Sequence, residues 1–361
     1  MRSSAALLVL LAAGCESSDV ADARGDAASP VSDAARDDAP GLDAFALDAP
    51  TADEDARSLD ASTEPTSRCS GTHTAPDLSG VTLTRIDAVP VRDGFAPGWG
   101  IVEGPAWVGD ALLVSHFGGG ATPSARLYRV LADGTVSIAR EDAGTNGLAM
   151  GPDGRLYGAS HDLGAIVAFD LDDLAAAPET IVGAFEGARF DGPNDLVLRS
   201  DGTIYFTDPD YQAPSPRPQR ATRVYRRAPD GTLESIADDL TQPNGIALSL
   251  DERTLFVGHA GGLVRYPLDA SGAIAGPRTS IDAIRGGVDG LGRDCAGDLY
   301  VTNDGAVVVL RPDGTELGRL DAPGATNVAF GGADGRTLYV TSLGDPPMLR
   351  RATLSVAGLP D

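Results

Sequence analysis

From about Arg68 onward, short apolar runs of Val, Ile, Leu and Tyr alternate with turns built on Asp-Gly, Gly and Pro. Runs of this length and composition predict β-strands. No stretch sustains a 3.6-residue apolar period, and Leu171 to Ala177 is the single short helical candidate. The pattern also repeats. A polar residue opens an apolar run, the chain turns, and a second apolar strand returns. The copies begin at Glu103, Asn146, Asn194, Asn244, Asp289 and Asn327, spaced 43, 48, 50, 45 and 38 positions apart. That period, with several strands per copy, is the pattern of propeller blades. Third and fourth strands are visible where Arg126-Leu-Tyr-Arg-Val and Arg223-Val-Tyr-Arg-Arg each run through an Asp-Gly turn into another apolar run. The prediction is an all-β, six-bladed β-propeller over residues 68–361. The segment Val81 to Ile86 is expected to join the last blade and close the ring.

The N-terminal part has another texture. Ala5 to Ala13 is an apolar core behind Arg2, too short to span a bilayer. Small residues then lead into Cys15, and Leu11-Ala12-Ala13-Gly14-Cys15 resembles the lipobox of bacterial lipoproteins. That resemblance implies a signal peptide over residues 1–14 and acylation of Cys15. The protein would then be exported from a bacterial cell and lipid-anchored in the envelope (periplasm or outer membrane), or otherwise secreted. Residues 15–67 are rich in Ala and Asp; from Glu16 to Thr66, fourteen acids stand against three Arg. Such a segment lacks the apolar surface needed to fold and is expected to be a disordered tether. In an oxidising compartment the remaining cysteines, Cys69 and Cys295, are candidates for a disulfide.

Net charge is −24, and all 28 basic residues are arginine, the chain having no lysine. The acidity argues against nucleic acid as a partner, and the absence of lysine excludes Schiff-base chemistry. The partner expected is a small molecule, the only membrane contact the lipid anchor, and the chain a monomer.

In a propeller the innermost strands run along the axis, so the six opening residues should meet in a ring. All six carry side-chain oxygen, and Glu103 and Asp289 are carboxylates. Turn preference explains Asn or Asp at one or two such positions, but poorly at six. Hard oxygen donors with about −2 of charge suit one divalent cation, Ca²⁺ first, with Mg²⁺ or Mn²⁺ able to take the same donors. Zn²⁺ is less favoured, since no His/Cys cluster has ligand spacing. The second strand of each copy returns to the same end and brings His116, Ser160 with His161, Asp208, His259, Asn303 with Asp304, and Ser342 to an outer ring. This ring holds three of the four histidines, side chains able to act as acid or base near neutral pH.

Glu103-Gly-Pro-Ala-Trp, Pro193-Asn-Asp-Leu, Gln242-Pro-Asn-Gly-Ile and Val288-Asp-Gly-Leu resemble the metal-site motifs of the gluconolactonase and regucalcin (senescence marker protein) family. The likeness is closest to bacterial gluconolactonases from Asn194 to Tyr211. It implies a metal held by Glu103, Asn194, Asn244 and Asp289, with Asn146 and Asn327 as pocket residues beside it; Asp208, His116 and His259 of the outer ring are the other substrate-binding candidates, His116 departing from the Asp that many relatives carry there. It also implies a hydrolase opening sugar lactones, with Asp289 or a rim histidine, His161 first, as proton acceptor. An arylesterase or phosphotriesterase on the same metal site is the enzymatic alternative, and a calcium-stabilised binding propeller the non-catalytic one. The loop Gln212 to Ala221, with three prolines, is expected to overhang the mouth.

Overall fold

The computed structural model describes residues 69–86, 100–118, 124–344 and 348–359. The signal peptide, Cys15 and the tether lie outside the described residues. Among these residues there are twenty-four strands and no helix.

A lone strand, β1 (Thr84–Ile86), comes first, and the others follow in groups. The first group is β2 (Gly100–Val108), β3 (Ala111–Phe117), β4 (Arg126–Leu131) and β5 (Val136–Arg140). The second is β6 (Thr145–Met150), β7 (Leu156–Ser160), β8 (Ala165–Phe169) and β9 (Glu179–Val182). The third is β10 (Leu196–Leu198), β11 (Ile204–Asp208), β12 (Arg223–Arg227) and β13 (Leu233–Ala237). The fourth is β14 (Ile246–Leu248), β15 (Thr254–His259), β16 (Gly262–Pro267) and β17 (Thr279–Arg285). The fifth is β18 (Val288–Arg293), β19 (Leu299–Asn303), β20 (Ala306–Leu310) and β21 (Glu316–Asp321). The last is β22 (Ala325–Gly331), β23 (Thr337–Gly344) and β24 (Leu349–Thr353).

Within each group every strand pairs with the next, and β1 pairs antiparallel with β24, Thr84 opposite Arg351 and Ile86 opposite Leu349. The second to fifth groups are separate four-stranded sheets, whereas the first and last share one eight-stranded sheet. The join is made where Gly100 and Ile101 of β2 pair with Gly344 and Leu343 of β23. The architecture is all-β and propeller-like, but the pairing isolates four four-stranded sheets rather than six separate blades. The hairpins turn as their sequences dictate. In Asp133-Gly-Thr, Asp230-Gly-Thr and Asp313-Gly-Thr the Asp carboxylate accepts the Thr N–H at 2.8, 2.9 and 2.8 Å, while the Gly adopts a positive φ at little steric cost.

The core is divided among the interfaces between neighbouring groups. Leu127 and Leu148 belong to a cluster between the first and second groups, Phe206 and Ile166 to one between the second and third. Further clusters join the third to the fourth, the fourth to the fifth and the fifth to the last. A sixth, with Trp107 stacked on Tyr339 at 5.7 Å, joins the last group back to the first. Cys69 and Cys295 form a disulfide that ties the N-terminal segment to the turn between β18 and β19. Leu171 to Ala177 is not helical. The Asp170 and Asp173 carboxylates there accept the N–H groups of Asp172, Ala175 and Ala176, a local bonding that competes with a helix.

Candidate metal centre

The first strands of the groups touch in a closed circuit: β2 meets β6, then β10, β14, β18 and β22, which returns to β2. Hydrogen bonds run along it. Gly147 donates to the Asn194 carbonyl and Gly245 to the Asp289 carbonyl, both at 2.7 Å. The Thr207 hydroxyl donates to the Asn244 carbonyl at 2.8 Å, and the Thr326 hydroxyl to the Val102 carbonyl at 2.6 Å. Gly104 has φ +53°, and a Cβ there would run into the Asn146 carbonyl; only glycine permits that approach without strain.

This packing gathers the opening residues. Glu103, Asn146, Asn194, Asn244 and Asn327 are buried and Asp289 is half-buried by surface, although its carboxyl is desolvated. Burial, and then the Asp289 charge, push the Glu103 carboxyl well above the usual range, against hydrogen bonds from the Gly104 N–H (2.9 Å) and the Asn327 and Thr326 side chains. Asp289 is likewise raised, first by burial and then by the charge of Asp195, while hydrogen bonding to Asn244 and Glu103 acts the other way. Two carboxyls interact in a desolvated site, a third, Asp195, adds negative charge, and the groups that bond to them are amides and a hydroxyl rather than cations, so a compensating positive charge is lacking. A divalent cation fits that deficit, and carboxylate and amide oxygens are the donors Ca²⁺ prefers. Among the described residues, no group of three or more His, Cys, Asp or Glu is placed to hold a metal ion.

The outer ring is less uniform. His161 is buried, its Nε2 3.2 Å from an Asp162 carboxylate oxygen and its ring 5.1 Å from Phe117. His116 is fully buried, 5.8 Å from Tyr128 of the cluster joining the first and last groups. His259 accepts the Gly261 N–H at Nδ1 (3.1 Å) and lines a groove of about 170 Å³ with Ser280, Asp282 and Arg285 of its own sheet. Asp208 accepts the N–H groups of Gly192 (2.8 Å) and Asp191 (3.1 Å), fixing the turn that leads into Asn194. Sequence reasoning passed over Asp195, Thr326 and Tyr211. Each lies beside an opening residue or at the end of a motif, and that adjacency is the signal it offered.

Burial raises Asp208 to about 7 and Asp294, at the turn after β18, to about 6. Each therefore holds its proton more tightly folded than unfolded, where a carboxyl titrates near 3.8. Between about pH 4 and about pH 7 the folded state binds more protons, so stability falls as pH rises through that window. The melting temperature of the chelator-treated protein is expected to drop by several degrees from about pH 5 to about pH 8. Asp294→Asn should shrink the drop; a flat profile would contradict these assignments.

Residues 175–344 match the family described as SMP-30/Gluconolactonase/LRE-like region. The chain is 31% identical over 278 residues to a gluconolactonase of Zymomonas mobilis, covering 66% of this chain and 75% of that protein. It is 33% identical over 172 residues to a pentonolactonase of Haloferax volcanii, covering 44% of this chain and 57% of the relative. Among solved structures, a gluconolactonase from Xanthomonas campestris matches with a TM-score of 0.62 at 29% identity, over 75% of this chain and 97% of its own. A calcium-binding regucalcin from Agrobacterium tumefaciens shares the fold, with a TM-score of 0.58 at 22% identity, over 74% of this chain and 96% of its own. On the motifs, the geometry and these likenesses together, the chain belongs to the SMP-30/gluconolactonase/LRE-like family.

Proposed function

We propose that this protein is a hydrolase that opens sugar lactones with the help of one divalent cation, calcium, at the ring of opening residues. The observation that carries the reading is the pair of crowded, desolvated carboxyls, Glu103 and Asp289, set among asparagine side chains. Its relatives' names supply the reaction class: gluconolactonase and pentonolactonase. Glu103, Asn194, Asn244 and Asp289 would hold the cation. When bound, it supplies positive charge that polarises the lactone carbonyl.

The remaining work falls to the chain's own residues. Asp289 takes a proton from the attacking water at its carboxylate, and that proton passes to the ring oxygen as the acyl C–O bond breaks. Asn146 and Asn327 offer amide groups to the substrate's hydroxyls. His161, held between Phe117 and Asp162, supports the wall of the pocket and leaves proton transfer to Asp289. The eight-stranded sheet is read as two blades joined at their ends, giving six in all. The closed circuit of first strands and the six interfacial clusters support that count. Export with a lipid anchor at Cys15 is the matching proposal for location, supported by a disulfide of the kind that persists in oxidising compartments.

The test is a substrate panel of an aldonolactone, an aryl ester and a phosphotriester, each given to the purified protein with Ca²⁺ and with a chelator. Preferential, chelator-sensitive turnover of the aldonolactone is expected. Turnover of the phosphotriester alone would transfer the site to the neighbouring chemistry, and no turnover at all would leave a binding propeller.

A further inference from the structure

The loop after β11 runs between the turn that leads into Asn194 and the one that leads into Asn244. Its first residues lie against the turn that leads into Asn194: a Cβ at Gly192 would rest 3.5 Å from the Gln212 side chain and 3.6 Å from that of His161. Tyr211 is 47% exposed, yet its phenol hydrogen-bonds with the Asn244 side chain and feels the charge of the Asp289 carboxyl. An aromatic ring with a polar tip suits a polyhydroxylated ring, whose C–H face can lie on the aromatic face while a hydroxyl meets the phenol.

A clamp centred on Arg217 keeps the loop in place. The Arg217 guanidinium spans two carboxylates, donating from Nε to Asp191 and from an Nη to Asp210 at 2.8 Å. Asp191 is fully buried and also accepts the Gln219 N–H at 2.8 Å. Asp210, beside Tyr211, is bound on its other side by Gln242: its N–H donates to the Gln242 amide oxygen at 3.2 Å, and the Gln242 amide nitrogen donates to its carboxylate at 2.5 Å. Gln242 holds a left-handed backbone, φ 52°, a conformation that non-glycine residues keep only where their surroundings demand it. It stands two positions before Asn244, so one chain of bonds runs from the buried Asp191 to the entry of the fourth group. Behind the clamp lies an open cleft of about 340 Å³, lined by Asp210, Arg217, Asp238, Asp239 and Gln242.

We propose that Tyr211 recognises the hydroxylated ring of the substrate at the mouth of the site, and that Arg217 is the positioning residue that holds it there. The inference rests on the lactonase reading and adds to it the residue that separates sugar lactones from plain ones. The test compares D-glucono-δ-lactone with δ-valerolactone, which has the same ring size and no hydroxyls. In Tyr211→Phe the ratio of kcat/KM for the sugar lactone over the plain one is expected to fall about tenfold, the size of one lost hydrogen bond, with the change in KM rather than kcat. Arg217→Met should lower the same ratio, and Arg217→Lys should recover part of it, keeping the charge but losing the two-carboxylate fork. A ratio unmoved in Tyr211→Phe overturns the proposal. So does an equal loss on both lactones, which would mean that Tyr211 acts only through Asn244.

If the wild-type protein opens neither lactone, the lactonase reading fails on its own, and calorimetric binding of D-gluconate to the calcium-loaded protein decides the recognition claim. Affinity about tenfold weaker in Tyr211→Phe sustains it; equal affinity, or no binding by the wild type, overturns it.

Discussion

Asp289→Asn is expected to lower kcat/KM for a sugar lactone by about three orders of magnitude while leaving the metal-free protein more stable than the wild type. The two effects share one cause. In the folded protein the Asp289 carboxyl is desolvated beside Glu103, and both are pushed toward protonation by burial and like charge. Asn keeps the shape and a carbonyl oxygen but removes a charge, so repulsion and desolvation cost fall together. The same change removes half the negative charge proposed to hold the cation, together with the proton acceptor. Thermal melting in chelator should therefore show a higher melting temperature for the variant, and added Ca²⁺ should raise it far less than it raises the wild type. A variant that melts lower in chelator and keeps its turnover would exclude Asp289 both as a cation ligand and as the proton acceptor.

Breaking the disulfide has the largest expected effect on stability. Cys69 and Cys295 are 226 positions apart, and closing so long a loop constrains the unfolded chain by up to about 5 kcal/mol. The bond anchors the segment that carries β1, whose neighbours Leu78, Val81 and Leu83 pack on the cluster between the fifth and last groups. β1 is the outer strand paired with β24, so its release would bare an unpaired edge. Urea unfolding of Cys69→Ser/Cys295→Ser is expected to show a loss of several kcal/mol, with turnover retained in the folded fraction, because no proposed cation ligand lies on the released segment. A midpoint equal to that of the wild type would mean that pairing and packing alone hold β1.

Much of this was legible in the sequence because it depends on local chemistry repeated in register. The Asp-Gly turns fix hairpins, the opening oxygens recur near the start of the first strands, and those first strands, β2, β6, β10, β14, β18 and β22, form one circuit. What escaped depends on contacts between distant residues or on side-chain direction. The join of the first and last groups rests on two residue pairs at Gly100 and Ile101, and nothing local announces them. His116, His161 and His259 stand at or beside the ends of equivalent strands, yet one rests against Tyr128, one pairs with Asp162 and one lines a groove of its own sheet. Strand position fixes where a backbone ends but not which wall its side chain joins. Leu171 to Ala177 has helical composition, and Asp170 and Asp173 spend their carboxylates on turns instead. Tyr211 stood at the end of the strongest motif, and its reach toward Asn244 appears only once the loop is folded back by Arg217.

The central claim is that one calcium ion, held by the ring of opening residues, is required for lactone hydrolysis. The most direct measurement is to strip the purified protein with a chelator, remove the chelator, and titrate Ca²⁺ back while following D-glucono-δ-lactone hydrolysis. Turnover at the uncatalysed rate is predicted for the stripped protein, with a linear recovery that ends at one equivalent. Full turnover before any Ca²⁺ is added, or none after saturation, would contradict it.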